Sequence, residues 1–283
     1  GSIDMAGTGG TLGGRDTFVG VSGSFGRVYM GHYSAPYDDI TGIGGNNTLN
    51  TGILGQGNLW AQGTQSDVNG GFDNRLKNSI RWDSPNWAGF VTSMQFATAE
   101  DSPSANSNQG SISGKYNNGP FAAVIAYQYN NNIRGLKFQE LDDSAFSIAA
   151  QWQFSRFNIA GKYEWLDYDY TQSSSLKRQY WEISSTILVG ANGSVYISYG
   201  DAADGKGRAP NGARIGQIVK GTGTGANTWV LSYAHALSKR TSVFTGYAKI
   251  NNDNNAAYTG NFRNPVQNGA NPGGFSMGMW HNF

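Results

Sequence analysis

The chain has 283 residues, with 41 glycines, 8 tryptophans, 15 tyrosines and 14 phenylalanines but only 14% charged residues and a formal net charge of +1. With no cysteine, disulfides, thiolate metal sites and cysteine nucleophiles are excluded together, and the balanced charge leaves no basic domain for nucleic acid. Abundant Gly, Asn, Ser and aromatic residues disfavour long helices and suit short strands joined by turns.

In chain order, residues 1–14 (GSIDMAGTGGTLGG) read as the tail of a strand entering a long loop. Two-residue alternation then predicts strands near 16–23, 26–33, 75–83, 89–98, 110–117, 120–130, 143–154, 157–168, 178–190, 193–200, 227–236, 240–250 and 273–283, thirteen in all. In PFAAVIAYQYN, Phe121, Ala123, Ile125, Tyr127 and Tyr129 share a side opposite Ala122, Val124, Ala126 and Gln128. In SAFSIAAQWQF, Phe146, Ile148, Ala150, Trp152 and Phe154 oppose Ser147, Ala149, Gln151 and Gln153. In FNIAGKYEW, Phe157, Ile159, Gly161, Tyr163 and Trp165 oppose Asn158, Lys162 and Glu164. Aromatics sit at the strand ends with smaller apolar residues between them, the placement of girdles at two membrane interfaces. About ten residues at about 3.3 Å each, tilted about 40°, give roughly 25 Å, the height of the apolar band of an outer-membrane barrel.

The connections alternate. Short turns at 23–25, 84–88, 117–119, 155–156, 190–193 and 237–240 interleave with long polar segments at 33–74, 98–109, 130–142, 169–177, 201–226 and 251–272. All long segments therefore leave the same side of an up-and-down meander, as in a bacterial outer-membrane barrel. No run of apolar residues is long enough for a membrane-spanning helix. A transmembrane barrel shows lipid only every second residue, so its polar average composition is no objection. Single-chain bacterial barrels normally have an even strand number. Thirteen strands thus predict a chain that starts inside a barrel, with about three strands upstream.

The segments RDTFVGVSGSFGRVYMGH, DNRLKNSIRWDSPNWAGF, LSKRTSVFTGYAKINN and GMWHNF resemble, in order and over essentially the whole chain, the general porins of Gram-negative bacteria in their β-proteobacterial branch. The resemblance implies an all-β transmembrane up-and-down antiparallel barrel of 16 strands over residues 1–283 as a single domain. It implies a homotrimer in the outer membrane that passes small hydrophilic solutes and ions passively, with outer-membrane lipid, lipopolysaccharide and the barrel-assembly machinery as partners. No enzymatic activity and no cofactor are implied. The third extracellular loop of the family folds inward, and by position it is 33–74, with Asp38 and Asp39 as a candidate acidic lip. The bland reading of that pair is a solvated turn after Pro36. The facing wall is read from RLKNSIRWD: Leu76, Ile80 and Trp82 on a lipid face, Arg75, Lys77, Ser79 and Arg81 in the lumen, joined by Lys115 and Lys162. Lys162 and Glu164, two apart on one face, would neutralise each other. A basic wall opposite an acidic lip predicts weak to moderate anion preference. Where the family has Arg, this chain has His32.

The last strand places Phe275, Met277, Met279, His281 and the terminal Phe283 on one side. This resembles the signal read by the assembly machinery, although Phe283 also suits an ordinary girdle position. The glycine-rich GTGTGAN (221–227) lacks the Gly-Lys-Ser/Thr and helix of a phosphate loop and reads as a mobile loop. His32, His235 and His281 lie far apart, which disfavours a metal site. Asp167, Asp169 and Glu182 read as carboxylates near loop mouths. Two rivals are an outer-membrane barrel enzyme of lipase or protease type, which needs a nucleophile and base at the rim, and a soluble all-β binding protein such as a lectin.

Overall fold

Two-residue alternation becomes a single meander in the computed structural model, which describes residues 16–46, 52–61, 72, 74–98, 107–134, 140–262, 264 and 266–282. The strands are β1 (Thr17–Gly23), β2 (Gly26–Ser34), β3 (Arg75–Asp83), β4 (Phe90–Thr98), β5 (Asn108–Asn118), β6 (Phe121–Asn131), β7 (Asp142–Gln153) and β8 (Asn158–Thr171). They continue as β9 (Ser174–Val189), β10 (Gly193–Ala202), β11 (Lys206–Gly207), β12 (Arg214–Ile215), β13 (Ile218–Val219), β14 (Ala226–Ala236), β15 (Thr241–Asn252) and β16 (Gly273–His281). The thirteen long ones run in the order β1 to β10, then β14, β15 and β16, each antiparallel to its chain neighbour. The short pieces belong to the connection between β10 and β14. There β11 extends the line of β10 along β9, and β12 pairs with β13.

Burial runs opposite to that of a water-soluble sandwich. Val19, Met30, Ile80, Ile125, Ile148, Ile183 and Leu231 are exposed on the outer face, while Ser93, Ser113, Gln128, Ser147, Glu164 and Ser198 are buried on the inner one. Large apolar side chains in water would be driven inside, each contributing about 1.5–3 kcal/mol on burial. An outer face built of them fits only an apolar surround. Aromatics mark two edges of this band. Phe121, Trp152, Phe154 and Phe157 gather at the short-turn end, with Phe121 and Trp152 at 6.2 Å and Phe154 stacked on Phe157 at 4.5 Å. At the other end cross-strand pairs join Phe146 to Trp165 (5.3 Å), Trp181 to Tyr199 (5.6 Å) and Tyr247 to Phe275 (4.6 Å).

The wall curves around a chain segment. Residues 36–46 and 52–61, which hold two short 3-10 turns at Pro36–Gly42 and Gln56–Asn58, touch the inner faces of strands as far apart in the sheet order as β5 and β14. The Tyr37 amide donates to Ser111 Oγ at 2.9 Å, and Asn46 Nδ2 donates to Ser232 Oγ at 2.9 Å. A flat sheet could not bring those strands to one short segment, so the sheet is curled, as a barrel wall is.

Two local departures have physical causes. The predicted long connection at 169–177 is a tight hairpin between Thr171 and Ser174. Its polar residues still make a ladder, and Lys177 Nζ pairs with Asp167 at 2.6 Å across it. In β3, Asn78 takes a left-handed φ of 48°, and the register against β2 skips between Gly31 and Tyr33. Such a bulge puts one extra residue on one strand and reverses the faces below it. Leu76, placed on the lipid face by strict alternation, is buried inside opposite Tyr33.

Candidate functional site

The inner segment is held by a buried carboxylate. Glu164 projects inward from β8 and accepts from the Ala61 amide (3.0 Å), the Tyr37 hydroxyl (3.0 Å) and Arg178 Nη2 of β9 (2.6 Å). Arg178 Nη1 also donates to the Leu59 carbonyl at 2.6 Å, so this one ion pair binds the segment at 59 and 61 as well as at 37. Tyr37 shares a further 2.6 Å bond with Ser147 Oγ and stacks on Trp60 at 5.6 Å with 7° between the rings. Burial, helped by the nearby carboxylate, pushes the Tyr37 hydroxyl well above its usual range, so it remains a donor. Glu164 and Arg178 are both almost wholly buried. Removing one would strand the other, which is the costly case for a buried pair.

Close approach needs a glycine. Gly44, at φ +65°, donates its amide to Gln151 Oε1 (3.0 Å), while its carbonyl accepts from Ser184 Oγ (2.7 Å). A Cβ there would overlap Ala160 Cβ and Ser184 Oγ. Gly44→Val is therefore expected to lower the stability of the refolded protein by about 1–3 kcal/mol. Denaturant midpoints would check this, and a midpoint equal to the parent's would show that the segment does not seat there.

Among the described residues, each inward cation of the wall faces a carboxylate. Lys115 Nζ lies 3.2 Å from Asp39, which also accepts from Ser113 Oγ at 2.6 Å. Arg81 Nε pairs with Asp83 at 2.8 Å, donates Nη1 to the Ser34 carbonyl and lies over the Tyr29 and Tyr33 rings. Lys162 stands 3.7 Å from Glu182 and donates to Gln56 Oε1. Lys162 and Glu164 thus do not neutralise each other. Each is matched by β9, Lys162 by Glu182 directly opposite and Glu164 by Arg178 on the diagonal. Glu182 is buried at mid-strand rather than at a loop mouth. Asp38 lies beside Asp39 in the first turn of the Pro36–Gly42 helix, half-buried, its carbonyl accepting from Thr41 Oγ1.

The expected basic wall is thereby redrawn. Because of the Asn78 bulge, Arg75 and Lys77 do not share the face of Arg81: Arg75 pairs with Ser34 in register and donates Nε to Asp16 at 2.8 Å, and Lys77 is exposed. Arg81, Lys115 and Lys162 do share the inner surface. Arg178 is a buried inner-face charge that the sequence reading does not name, and Glu182, read there as a loop-mouth carboxylate, is its neighbour on the same face of β9. The signal was present, since 178, 180 and 182 continue the inward parity of β9, but a strand started at 178 leaves Arg178 at an end. On β16, Phe275, Met277 and Met279 are highly exposed on one side, and His281 Nδ1 bonds Thr241 Oγ1 at 2.9 Å. Phe283 lies outside the described residues. His32 is half-buried in β2 at the register skip. The glycine-rich 221–227 is tied down rather than loose: Asp204 accepts from the amides of Gly223 (3.2 Å), Thr224 (2.7 Å) and Gly225 (2.9 Å). Among the described residues no group of His, Asp and Glu has the arrangement of a metal site.

Comparison with known proteins agrees with this architecture. The family model for Gram-negative porins matches residues 2–255. Outer membrane porin protein 32 of Delftia acidovorans is 26% identical over 287 residues, covering 95% of this chain and 74% of that protein. Major outer membrane protein P.IB of Neisseria gonorrhoeae is 30% identical over 149 residues, covering 51% of this chain and 39% of that protein. Among solved structures, the anion-selective porin from Comamonas acidovorans superposes with a TM-score of 0.73 at 23% identity, covering 95% of this chain and 78% of that one. OmpT of Vibrio cholerae does so with a TM-score of 0.71 at 14% identity, covering 96% and 81%. The chain belongs to the Gram-negative porin family, and its curled sheet is the wall of an outer-membrane channel.

Proposed function

We propose that this porin passes small hydrophilic solutes and ions by passive diffusion, without a catalytic step, through a lumen narrowed by the segment at 33–74. The observation that carries the reading is the seat of residues 36–46 and 52–61 against the inner wall, which leaves the Asp39–Lys115 pair partly open at its edge, with side chains 19% and 31% exposed. A pair of opposite charges there sets a field across the path of a permeating ion. Arg81, Lys115, Lys162 and Arg178 each face a carboxylate, so the preference between ions is weak. It leans to anions, because Lys115 is the more open member of its pair, and the anion-selective Comamonas porin supports the same direction.

Reversal potentials in a salt gradient across a planar bilayer test this. The expected shift is toward the chloride equilibrium potential, and Lys115→Glu reverses its sign. A clear cation preference in the parent protein overturns the selectivity, and absence of conductance overturns the pore.

The functional unit in this reading is a homotrimer, a state supported by the family and by the trimer form of V. cholerae OmpT, whose TM-score to this chain is 0.68. The alternating face of β16 with Phe275, Met277, Met279 and His281, closed by Phe283, would serve as the assembly signal, and lipid with lipopolysaccharide would cover the outer face.

A further inference from the structure

The inner face of β2 and β3 carries one more cation than carboxylate at its short-turn end. Arg27 and Asp83 are register partners there, and Arg81 lies two residues further up β3 on the same face. Both guanidinium groups use the one carboxylate. Arg27 Nη2 donates to Asp83 Oδ2 at 2.7 Å and Arg81 Nε to Oδ1 at 2.8 Å, while the Tyr29 hydroxyl donates to Oδ2 at 3.0 Å. Among the described residues of β1 to β4, no other charged side chain stands in that half, and the connections at 23–25 and 84–88 carry none. One of the two positive charges is therefore left over. Aromatic rings hold both guanidinium planes: Arg27 Cζ lies 4.8 Å over Tyr29, and Arg81 Cζ lies 5.8 Å over Tyr29 and 5.0 Å over Tyr33. Such contacts fix a guanidinium without consuming its N–H donors. The two arginines differ in access. Arg81 is buried and also donates to the Ser34 carbonyl, whereas the Arg27 side chain is 49% exposed. Its bond to Asp83 uses Nη2, which leaves further donors for a second acceptor. Along the inner face the register runs Arg27, Asp83, Ser93, Ser113. Arg27 thus stands three strand spacings, about 14 Å, from the serine that donates to Asp39.

We propose that Arg27 is a second specificity-determining residue of this pore, a weak site at the short-turn mouth for the carboxylate of a small organic anion. The open edge of a fixed guanidinium matches the two oxygens of a carboxylate, a geometry that chloride cannot use. The single uncancelled charge suits a monocarboxylate. The site rests on the reading of the chain as a conducting pore and adds to it the class of solute that the pore favours.

The test records chloride current through the whole refolded protein in a planar bilayer while sodium benzoate, or its neutral isostere benzamide, is added. Benzoate is expected to reduce the current in a saturable way, and benzamide to leave it unchanged. Arg27→Gln is expected to raise the half-blocking concentration of benzoate about 10-fold, as for one hydrogen-bonded charge pair. Arg27→Lys keeps the charge and loses the fork. Its reversal potential in a salt gradient is expected to match the parent's, while its block by benzoate stays as weak as that of Arg27→Gln. Denaturant midpoints close to the parent's show that both variants fold. Absence of chloride current in the parent overturns the pore itself. A conducting parent on which benzoate and benzamide act alike overturns the site without need of a variant. Parental block in Arg27→Gln overturns the role of Arg27, and parental block in Arg27→Lys overturns carboxylate recognition in favour of bare charge.

Discussion

Arg178→Met is expected to destabilise the refolded protein by about 3–5 kcal/mol, because it leaves the buried Glu164 carboxylate without its counter-charge. The same change removes the bond to the Leu59 carbonyl, so the inner segment loses its hold at 59 while Tyr37 and Ala61 still reach Glu164. A partly released segment predicts higher and noisier single-channel conductance. Glu164→Leu should be as damaging, since it strands the arginine and removes the acceptor for Tyr37 and Ala61 together. The double variant Glu164→Leu with Arg178→Met separates stability from seating. With both charges gone no desolvated ion remains, so its stability should lie closer to the parent than either single variant. Its conductance should nevertheless stay raised, because no group replaces the carboxylate that Tyr37 and Ala61 share. Denaturant unfolding and planar-bilayer recordings on the four proteins give the cycle. Single variants as stable as the parent would show that Glu164 and Arg178 do not hold the segment. A double variant with parental conductance would show that the wall positions it by packing alone.

The strand pattern was legible in the sequence because lipid and lumen ask for opposite side chains at every second position, and that demand overrides the weak β propensity of residues such as Ala, Gly and Ser. Alternation alone gives β3 its bounds of 75–83 and yields all thirteen long strands. What alternation cannot carry is a change of parity. Asn78 and Lys77 look like ordinary strand residues, yet the left-handed Asn78 turns Leu76 inward and takes Arg75 and Lys77 from the face of Arg81. Strand ends were equally opaque where the ladder outruns the apolar band. Asp169 and Lys177 read as loop residues because they fall in a polar stretch, but charged residues beyond the aromatic row are compatible with strand when they face water. That is why β9 was started late and Arg178 was missed. The pairing of lumenal charges was out of reach for a related reason. Lys162 and Glu164 are near neighbours in sequence, whereas the partners they find, Glu182 and Arg178, are set by the register of β8 against β9, which no local pattern encodes.

Ile148→Arg gives the largest expected effect on the outer face. Ile148 sits near the middle of β7, exposed, between Ile125 on β6 and Tyr163 on β8. In a water-soluble protein an exposed isoleucine replaced by arginine changes stability by only about 0.5 kcal/mol in either direction. At the midplane of a bilayer the same change costs about 2–4 kcal/mol, because the guanidinium must be desolvated or reach the interface by thinning the lipid around it. The cost falls to about 0–1 kcal/mol near the interfaces, so Phe154→Arg, at the short-turn edge of the band, should be much milder although Phe154 is exposed to a similar degree. Unfolding of both variants from lipid vesicles measures the difference. Equal costs at 148, near the middle of β7, and at 154, just past its end, would mean that depth does not matter, and with it the outer face would cease to be a lipid face. A steep difference ties the exposed isoleucines to the membrane by energy as well as by pattern, since water gives two similarly exposed positions no such dependence on depth.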